Sequence, residues 1–274
     1  MDDSARPARD TVLVFDSGLG GLTVLGEIAR ARPDLDLTLV ADDAAFPYGR
    51  LSDEELVARV VIVMDRYIEA LRPRLVVIAC NTASTLALPA LRARFSIPFV
   101  GTVPAIKPAC VQSKTKRVSV LATAATVRRD YTRELIREFA GDCRVTLAGS
   151  SKLASLAEAA LRGEPAGDEA IRAEIAPCFA DDGVRTDTIV LACTHYPLIL
   201  DRLARLAPWS VAWLDPAPAI ARRASQLLGP MGAGSGGPAK AYFTSGKPVS
   251  KELGRSLVRF GVAAVSETTL IVPV

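Results

Sequence analysis

Two stretches in different halves of the chain are built alike, and they restrict the fold more than any other feature. Val76-Val77-Ile78-Ala79-Cys80-Asn81-Thr82 and Ile189-Val190-Leu191-Ala192-Cys193-Thr194-His195 each run as an apolar, largely β-branched segment into Ala-Cys and then two polar, hydrogen-bonding residues. An apolar run without polar alternation suits a strand buried on both faces, as in a parallel sheet covered by helices. Comparable runs lie at residues 11–15, 37–41, 98–101, 118–122, 145–148 and 211–214. Helical patterns separate them, at 23–31, 83–94, 127–140, 152–161, 169–179, 198–206 and 219–228. The clearest helix start is Ser52-Asp53-Glu54-Glu55, a capping box, and Arg72-Pro73 ends that helix. The Gly-rich stretch 229–239 reads as a loop, because a strand at 241–244 and a helix at 251–260 follow it. This rhythm predicts an α/β fold of parallel sheets, with each Cys at the carboxyl end of a strand, the edge where such sheets bind ligands. Two copies, one per half, predict two similar α/β domains whose active edges face each other across a cleft.

Composition removes several classes of function. The apolar runs, such as residues 60–64, fall far short of the roughly 20 residues a membrane helix needs, and Met1–Asp10 holds no apolar signal-peptide segment. A cytoplasmic protein outside the membrane is therefore expected. The chain has 5 Cys in no CxxC pair and a single His, so neither a disulfide framework nor a zinc ribbon nor a multi-histidine metal site is expected. Its 33 basic and 30 acidic residues nearly balance, Arg128-Arg129 and Arg222-Arg223 are only doublets, and aromatics make up 5%, which argues against a nucleic-acid partner.

A free cysteine is ordinarily a small buried hydrophobe, and Cys110, Cys143 and Cys178 are read that way. Cys80 and Cys193 differ in position, since each precedes a polar turn at a helix start. A helix N-terminus lowers a thiol pKa and makes thiolate available near neutral pH. His195 is either a histidine on the surface at a helix start or an imidazole that serves the substrate and Cys193. The loop Phe15-Asp16-Ser17-Gly18-Leu19-Gly20-Gly21-Leu22-Thr23 departs from the dinucleotide pattern, and the Asp16 carboxylate at its mouth opposes a phosphate. An ammonium group fits better, with Asp16 as its partner and Ser17 or the loop N–H groups left for a carboxylate. Asp42 and Asp43 open a turn in which Pro47-Tyr48-Gly49 is rigid and the Gly49 N–H can approach a ligand. Asp in such a turn is usually a cap. Together with Asn81, Thr82 and Thr194 these groups suit a small zwitterion. Two opposed thiols then suit stereoinversion at carbon, one removing a proton while the other delivers one to the opposite face.

VFDSGLGGLTV, FPYGR, ACNTAS and ACTHYPL resemble, in order and spacing along nearly the whole chain, the signature blocks of the glutamate racemases in the aspartate/glutamate racemase superfamily. The resemblance implies two parallel-sheet domains with pseudo-twofold symmetry, a first of residues 1–98 plus 209–274 carrying Cys80 and a second of 99–208 carrying Cys193. It implies cofactor-independent interconversion of L- and D-glutamate, with no metal, that supplies peptidoglycan synthesis, by a homodimer. On the matching motifs, Cys80 would be the base for D-glutamate and Cys193 the base for L-glutamate. Asp16 and His195 would assist them, with Glu158 helping on the Cys193 side. Asp16, Ser17, Tyr48, Gly49, Asn81, Thr82, Thr194 and His195 would line the substrate site. The chain differs from the usual pattern at Ala41-Asp42-Asp43, Ser150-Ser151 and Asp215-Pro216. Competing readings are a sister racemase acting on aspartate or hydantoins, a binding module without turnover, and a nucleotide-dependent oxidoreductase.

Overall fold

The computed structural model describes residues 11–265. The Met1–Asp10 stretch and residues 266–274, the outer ends of the expected first domain, lie outside the described residues. The strands are β1 (Thr11–Asp16), β2 (Asp36–Ala41), β3 (Leu75–Ile78), β4 (Phe99–Val100), β5 (Arg117–Thr123), β6 (Arg144–Ser150), β7 (Thr188–Ala192), β8 (Ala212–Leu214), β9 (Ala239–Phe243) and β10 (Val262–Val265). The helices are α1 (Gly21–Ala31), α2 (Asp53–Leu71), α3 (Asn81–Arg94), α4 (Ile106–Gln112), α5 (Ala124–Arg128), α6 (Asp130–Phe139), α7 (Leu153–Leu161), α8 (Asp168–Ile175), α9 (Leu200–Leu206), α10 (Ala217–Leu228) and α11 (Lys251–Arg259).

All strand pairs between these elements are parallel, and they form a six-stranded sheet, β10-β9-β2-β1-β3-β4, and a four-stranded sheet, β6-β5-β7-β8. The order β2-β1-β3-β4 is repeated as β6-β5-β7-β8, so β3 and β7 occupy equivalent places. In both sheets the strand order reverses beside the first strand of the unit, which opens a crevice at the carboxyl ends of β1 and β3 and of β5 and β7. The internal similarity read from the sequence is thus a similarity of topology. The change of sheet falls slightly later than the boundaries expected at 98/99 and 208/209. Phe99–Val100 still pairs with β3, and Ala212–Leu214 pairs with β7 before the chain returns to the first sheet.

Alternation along each strand sends side chains to opposite faces. On β1, Val12 and Val14 join one core with Leu25 and Ile28 of α1 and Ile220 and Ala224 of α10. Leu13 and Phe15 face Leu56, Val60 and Met64 of α2 and Leu91 of α3. The smaller sheet is covered in the same way on both sides. Ser52 and Glu55 form the expected reciprocal cap of α2, and Arg72, at φ 45°, ends that helix. Two expectations fail locally. The helix predicted over 127–140 is two helices, broken at Arg129, and the strands predicted to run to Cys80 and Cys193 stop at Ile78 and Ala192.

Beneath the Pro47-Tyr48-Gly49 turn lies an ion pair that the sequence does not announce. Asp42, fully buried at the end of β2, accepts two hydrogen bonds from the Arg59 guanidinium at 2.9 and 2.7 Å, one from the Tyr48 hydroxyl at 2.5 Å and one from Thr244 at 2.6 Å. Asp43, the added acid, accepts from the backbone and hydroxyl of Ser245. Both carboxylates therefore bind the turn to the residues that follow β9. Removing one partner of a buried ion pair strands the other charge. Arg59→Met is expected to cost about 3–5 kcal/mol in urea denaturation, and Asp42→Asn in the same chain should recover part of that loss.

Candidate active site

The carboxyl ends of β1 and β3 face those of β5 and β7, and the loops that leave them close a small pocket. Cys80 is the residue ahead of α3, and Cys193 follows β7 by one position, in a turn closed by the Tyr196 N–H on the Cys193 carbonyl at 3.1 Å. Both thiols line one pocket with Ser17, Phe46, Tyr48, Gly49, Asn81, Thr82, Thr194 and His195. Its volume is about 20 Å³, which holds about one water.

The Gly-rich loop has a role other than the one expected. The Gly18 N–H donates to Asp16 Oδ1 at 3.0 Å, and the Leu19 N–H donates across the cleft to Glu158 Oε1 at 2.7 Å. These two donors are taken by the protein's own carboxylates, so they are not left for a substrate carboxylate. The glycines instead permit contact. A Cβ on Gly18 would collide with Glu158 Oε1, and one on Gly20 would collide with Thr194 Oγ1 and lie 2.8 Å from His195 Nδ1.

Asp16 and Glu158 stand behind the pocket lining rather than in it. Asp16 is fully buried and accepts from Thr194 Oγ1 at 2.8 Å. Burial pushes its pKa up, against the opposing pull of the His195 charge and the Thr194 and Gly18 hydrogen bonds. In this closed pocket Asp16 meets the lining through Thr194 and Ser17. Glu158 Oε1 accepts from His195 Nε2 at 2.9 Å, and His195 Nδ1 faces Cys193 Sγ at 3.8 Å. His195 is 2% exposed, which removes the surface-histidine reading.

Burial alone would lower the His195 pKa, but its contacts with Cys193 and Glu158 and the Asp16 field raise it well above the ordinary 6.5. Burial would raise Glu158, yet the same histidine, the Leu19 N–H and Arg162 bring it below 4.5. The stabilisation that His195 contributes is thus complete below pH 6.5 and lost as pH rises through its raised value. That from Glu158 is present above pH 4.5 and lost as pH falls through its lowered value. Between those limits the pair is an imidazolium and a carboxylate aligned on Cys193.

On the other side, Ser17 Oγ lies 3.4 Å from Cys80 Sγ. Burial, with the Asp16 charge added, pushes the Cys80 thiol from 9.0 to about 11, against the Ser17 hydroxyl and the Ala83 N–H. The helix-start effect expected to favour thiolate is present in that last bond, but in a closed pocket desolvation wins. Asn81 supplies the other informative feature. Among the described residues neither Nδ2 nor Oδ1 of its side chain has a hydrogen-bond partner, although Asn81 is 2% exposed and lines the pocket. A buried amide left open in this way is a site waiting for a ligand that both donates and accepts.

Cys110, Cys143 and Cys178 lie in the cores, away from this pocket. Ser150 accepts from the N–H groups of Lys152 and Leu153 at the start of α7, and Asp215 accepts from Ala217 at the start of α10. The sequence departures at those places lie at helix starts. Phe46, whose ring lies 5.2 Å from that of His195, and Thr123 line the pocket without having been singled out. Phe46 stood inside a quoted motif. Thr123 could have been found from the repeat, because it ends β5 as Asp16 ends β1.

Residues 17–224 match the family model described as Asp/Glu/Hydantoin racemase. The chain belongs to that racemase family. It is 53% identical over 251 residues to a glutamate racemase of Agrobacterium fabrum, covering 90% of this chain and 92% of that one. A glutamate racemase of Mesorhizobium japonicum is 50% identical over 256 residues, covering 92% and 97%. Among solved structures, an Escherichia coli glutamate racemase in complex with L-glutamate and the activator UDP-MurNAc-Ala matches with a TM-score of 0.86 at 40% identity, covering 94% of this chain and 97% of that one.

Two measurements test the geometry of this racemase-family site. Gly20→Ala should lose about 1–3 kcal/mol of stability through overpacking, read from the denaturation midpoint. With a raised thiol, alkylation of Cys80 should keep rising about tenfold per pH unit to pH 9.5; a plateau near pH 8.5 contradicts the burial argument.

Proposed function

We propose that this chain interconverts L- and D-glutamate, with Cys80 and Cys193 acting from opposite faces of the α-carbon. The observation that carries this reading is the pairing of two buried thiols on one pocket, each at the end of an equivalent strand and each with its own polar partner. The relatives named above, which span nearly the whole chain, support glutamate as the substrate.

In the proposed reaction, one thiolate removes the α-proton and the opposite thiol gives its proton to the other face. Two S–H bonds and two C–H bonds are exchanged without change of oxidation state, and the enzyme ends with its two protonation states interchanged. Cys80 takes the proton of D-glutamate and Cys193 that of L-glutamate. The α-proton is weakly acidic, so charge developing at the carboxylate needs preorganised donors in a site without water. Asn81 Nδ2 and the Gly49 N–H are suited to a carboxylate, and Asn81 Oδ1 to the ammonium. The imidazolium of His195, held by Glu158, faces Cys193, and Ser17 can donate to the thiolate of Cys80. D-Glutamate made in the cytoplasm for peptidoglycan synthesis, by a homodimer, completes the proposal, and sedimentation of the purified chain measures its mass.

The test is a comparison of Cys80→Ser and Cys193→Ser in deuterated water. Racemisation should fall about 100-fold or more in each, since a serine hydroxyl is a far weaker base at neutral pH. Cys193→Ser should still exchange the α-proton of D-glutamate slowly, and Cys80→Ser that of L-glutamate. A variant that racemises both enantiomers at the rate of the unaltered chain refutes the two-thiol assignment. Glu158→Gln should lower kcat/KM equally for both enantiomers, whose equal free energies fix that ratio at one, and should slow the exchange of the L-glutamate α-proton left in Cys80→Ser.

A further inference from the structure

The break in the helix predicted over 127–140 falls where the second half reaches across to the first. α5 ends at Arg128, α6 begins at Asp130, and Arg129 between them is extended, with φ −73° and ψ 139°. From that position its guanidinium leaves the smaller half. Nη1 donates to the Thr82 carbonyl at 2.9 Å and to Thr85 Oγ1 at 2.8 Å, and Nη2 pairs with Asp53 at 3.2 Å. The Thr82 hydroxyl also meets those of Thr123 and Thr126, at 3.4 and 3.5 Å. One short segment of the second half thus converges on the first turn of α3, which begins with Asn81 and follows Cys80 directly.

The catalytic pocket, at about 20 Å³, is too small for an amino acid, so the halves must part to admit one. Two groups of bonds hold them together around the pocket, besides a buried bond from Ser256 Oγ to the Leu161 carbonyl at 2.9 Å. The first joins the Gly-rich loop to Thr194 and Glu158 and is buried throughout, with Asp16 at 0% and Glu158 at 5% exposure. The second is centred on Arg129 and borders an open groove of about 510 Å³ lined by Gly49, Asp53, Thr85, Arg128, Arg129 and Tyr131. Gly49 lines the groove and the catalytic pocket alike. The Asp53 side chain is 59% exposed, whereas that of Arg129 is only 10% exposed. Bonds with a solvated partner are the easier ones to exchange for water, so the groove side is where the cleft can open at least cost.

We propose that Arg129 is a positioning residue that clasps the cleft shut: its fork across the groove holds the first turn of α3, and with it Cys80 and Asn81, against the second half while substrate is bound. The proposal rests on the reading that glutamate reacts between Cys80 and Cys193. Arginine suits the task because its planar fork serves a carbonyl, a hydroxyl and a carboxylate at once, which a lysine ammonium on a flexible stem does poorly. Opening releases Arg129 to water and uncovers Cys80, and closing restores the three contacts and expels solvent from the site.

Arg129→Gln, Arg129→Lys, Asp53→Asn and the Arg129→Gln/Asp53→Asn double variant of the full chain decide the matter. For each, iodoacetamide labelling of Cys80 is followed by peptide mapping, alongside thermal melting and the kinetics of both glutamate enantiomers. In Arg129→Gln, labelling of Cys80 should quicken about tenfold and KM rise about tenfold for both enantiomers, with kcat changed less than about threefold; Arg129→Lys should restore part of both. Asp53→Asn should act in the same direction by about two- to fivefold, and should add nothing once Arg129 is glutamine. Unchanged labelling and KM in a folded Arg129→Gln overturn the clasp, as does an Asp53→Asn effect of equal size in both backgrounds. Should Arg129→Gln fail to fold, Asp53→Asn, on a largely exposed residue, decides alone, and unchanged labelling there refutes the proposal. Labelling that responds in a chain unable to racemise glutamate refutes the functional reading and leaves the clasp standing. Labelling that does not respond in an active enzyme refutes the clasp alone.

Discussion

The close contact between the loop after β1 and the end of β7 is the constraint on which the site depends. Gly18 and Gly20 have no Cβ, and only for that reason can Asp16 meet Thr194 and the Leu19 N–H meet Glu158 across the cleft. Glu158 is then doubly used, because the oxygen that accepts from Leu19 also accepts from His195. The bond that joins the halves and the bond that orients the imidazole toward Cys193 share an atom. Closure and the electrostatics of one thiol are therefore coupled, and a cleft that parts on this side would also disturb the charge state of the histidine.

The two thiols do not sit in equivalent surroundings, although their strands do. Cys193 faces an imidazolium backed by a carboxylate. Cys80 faces a hydroxyl and lies in the field of a buried acid, and burial raises its pKa. A symmetric topology thus carries an asymmetric charge distribution. Such asymmetry suits a reaction in which one sulfur must be thiolate while the other is thiol, since two like charges in one small dry pocket would repel strongly.

Much of this was legible from the chain. The buried strands, the capped start of α2 and the repeat around the two cysteines follow from local patterns, because hydrophobic period and turn chemistry act over a few residues, whereas the placing of Tyr48 with Ser17, Asn81, Thr82 and His195 was implied by the family resemblance. Other features were hidden for a common reason. The partner of Asp42 is Arg59, 17 positions away, and the partner of Leu19 is Glu158, 139 positions away, so neither pairing leaves a mark in the neighbouring sequence. The helix break at Arg129 was missed because 127–140 has sound helical periodicity, and what turns Arg129 outward is a set of acceptors on the other half.

What the sequence by itself determined is the α/β class, the position of Cys80 and Cys193 at strand ends and the exclusion of a cluster of histidines, since these depend on residue type and spacing alone. Tertiary structure decided the protonation of the site and the use of its loop. The loop whose N–H groups were read as free for a carboxylate serves instead to bring two halves together, and the Cys80 thiol expected to ionise at a helix start has its pKa raised by burial. Both reversals have one cause: local sequence sets which groups are available, whereas desolvation and pairing depend on every element that closes over them.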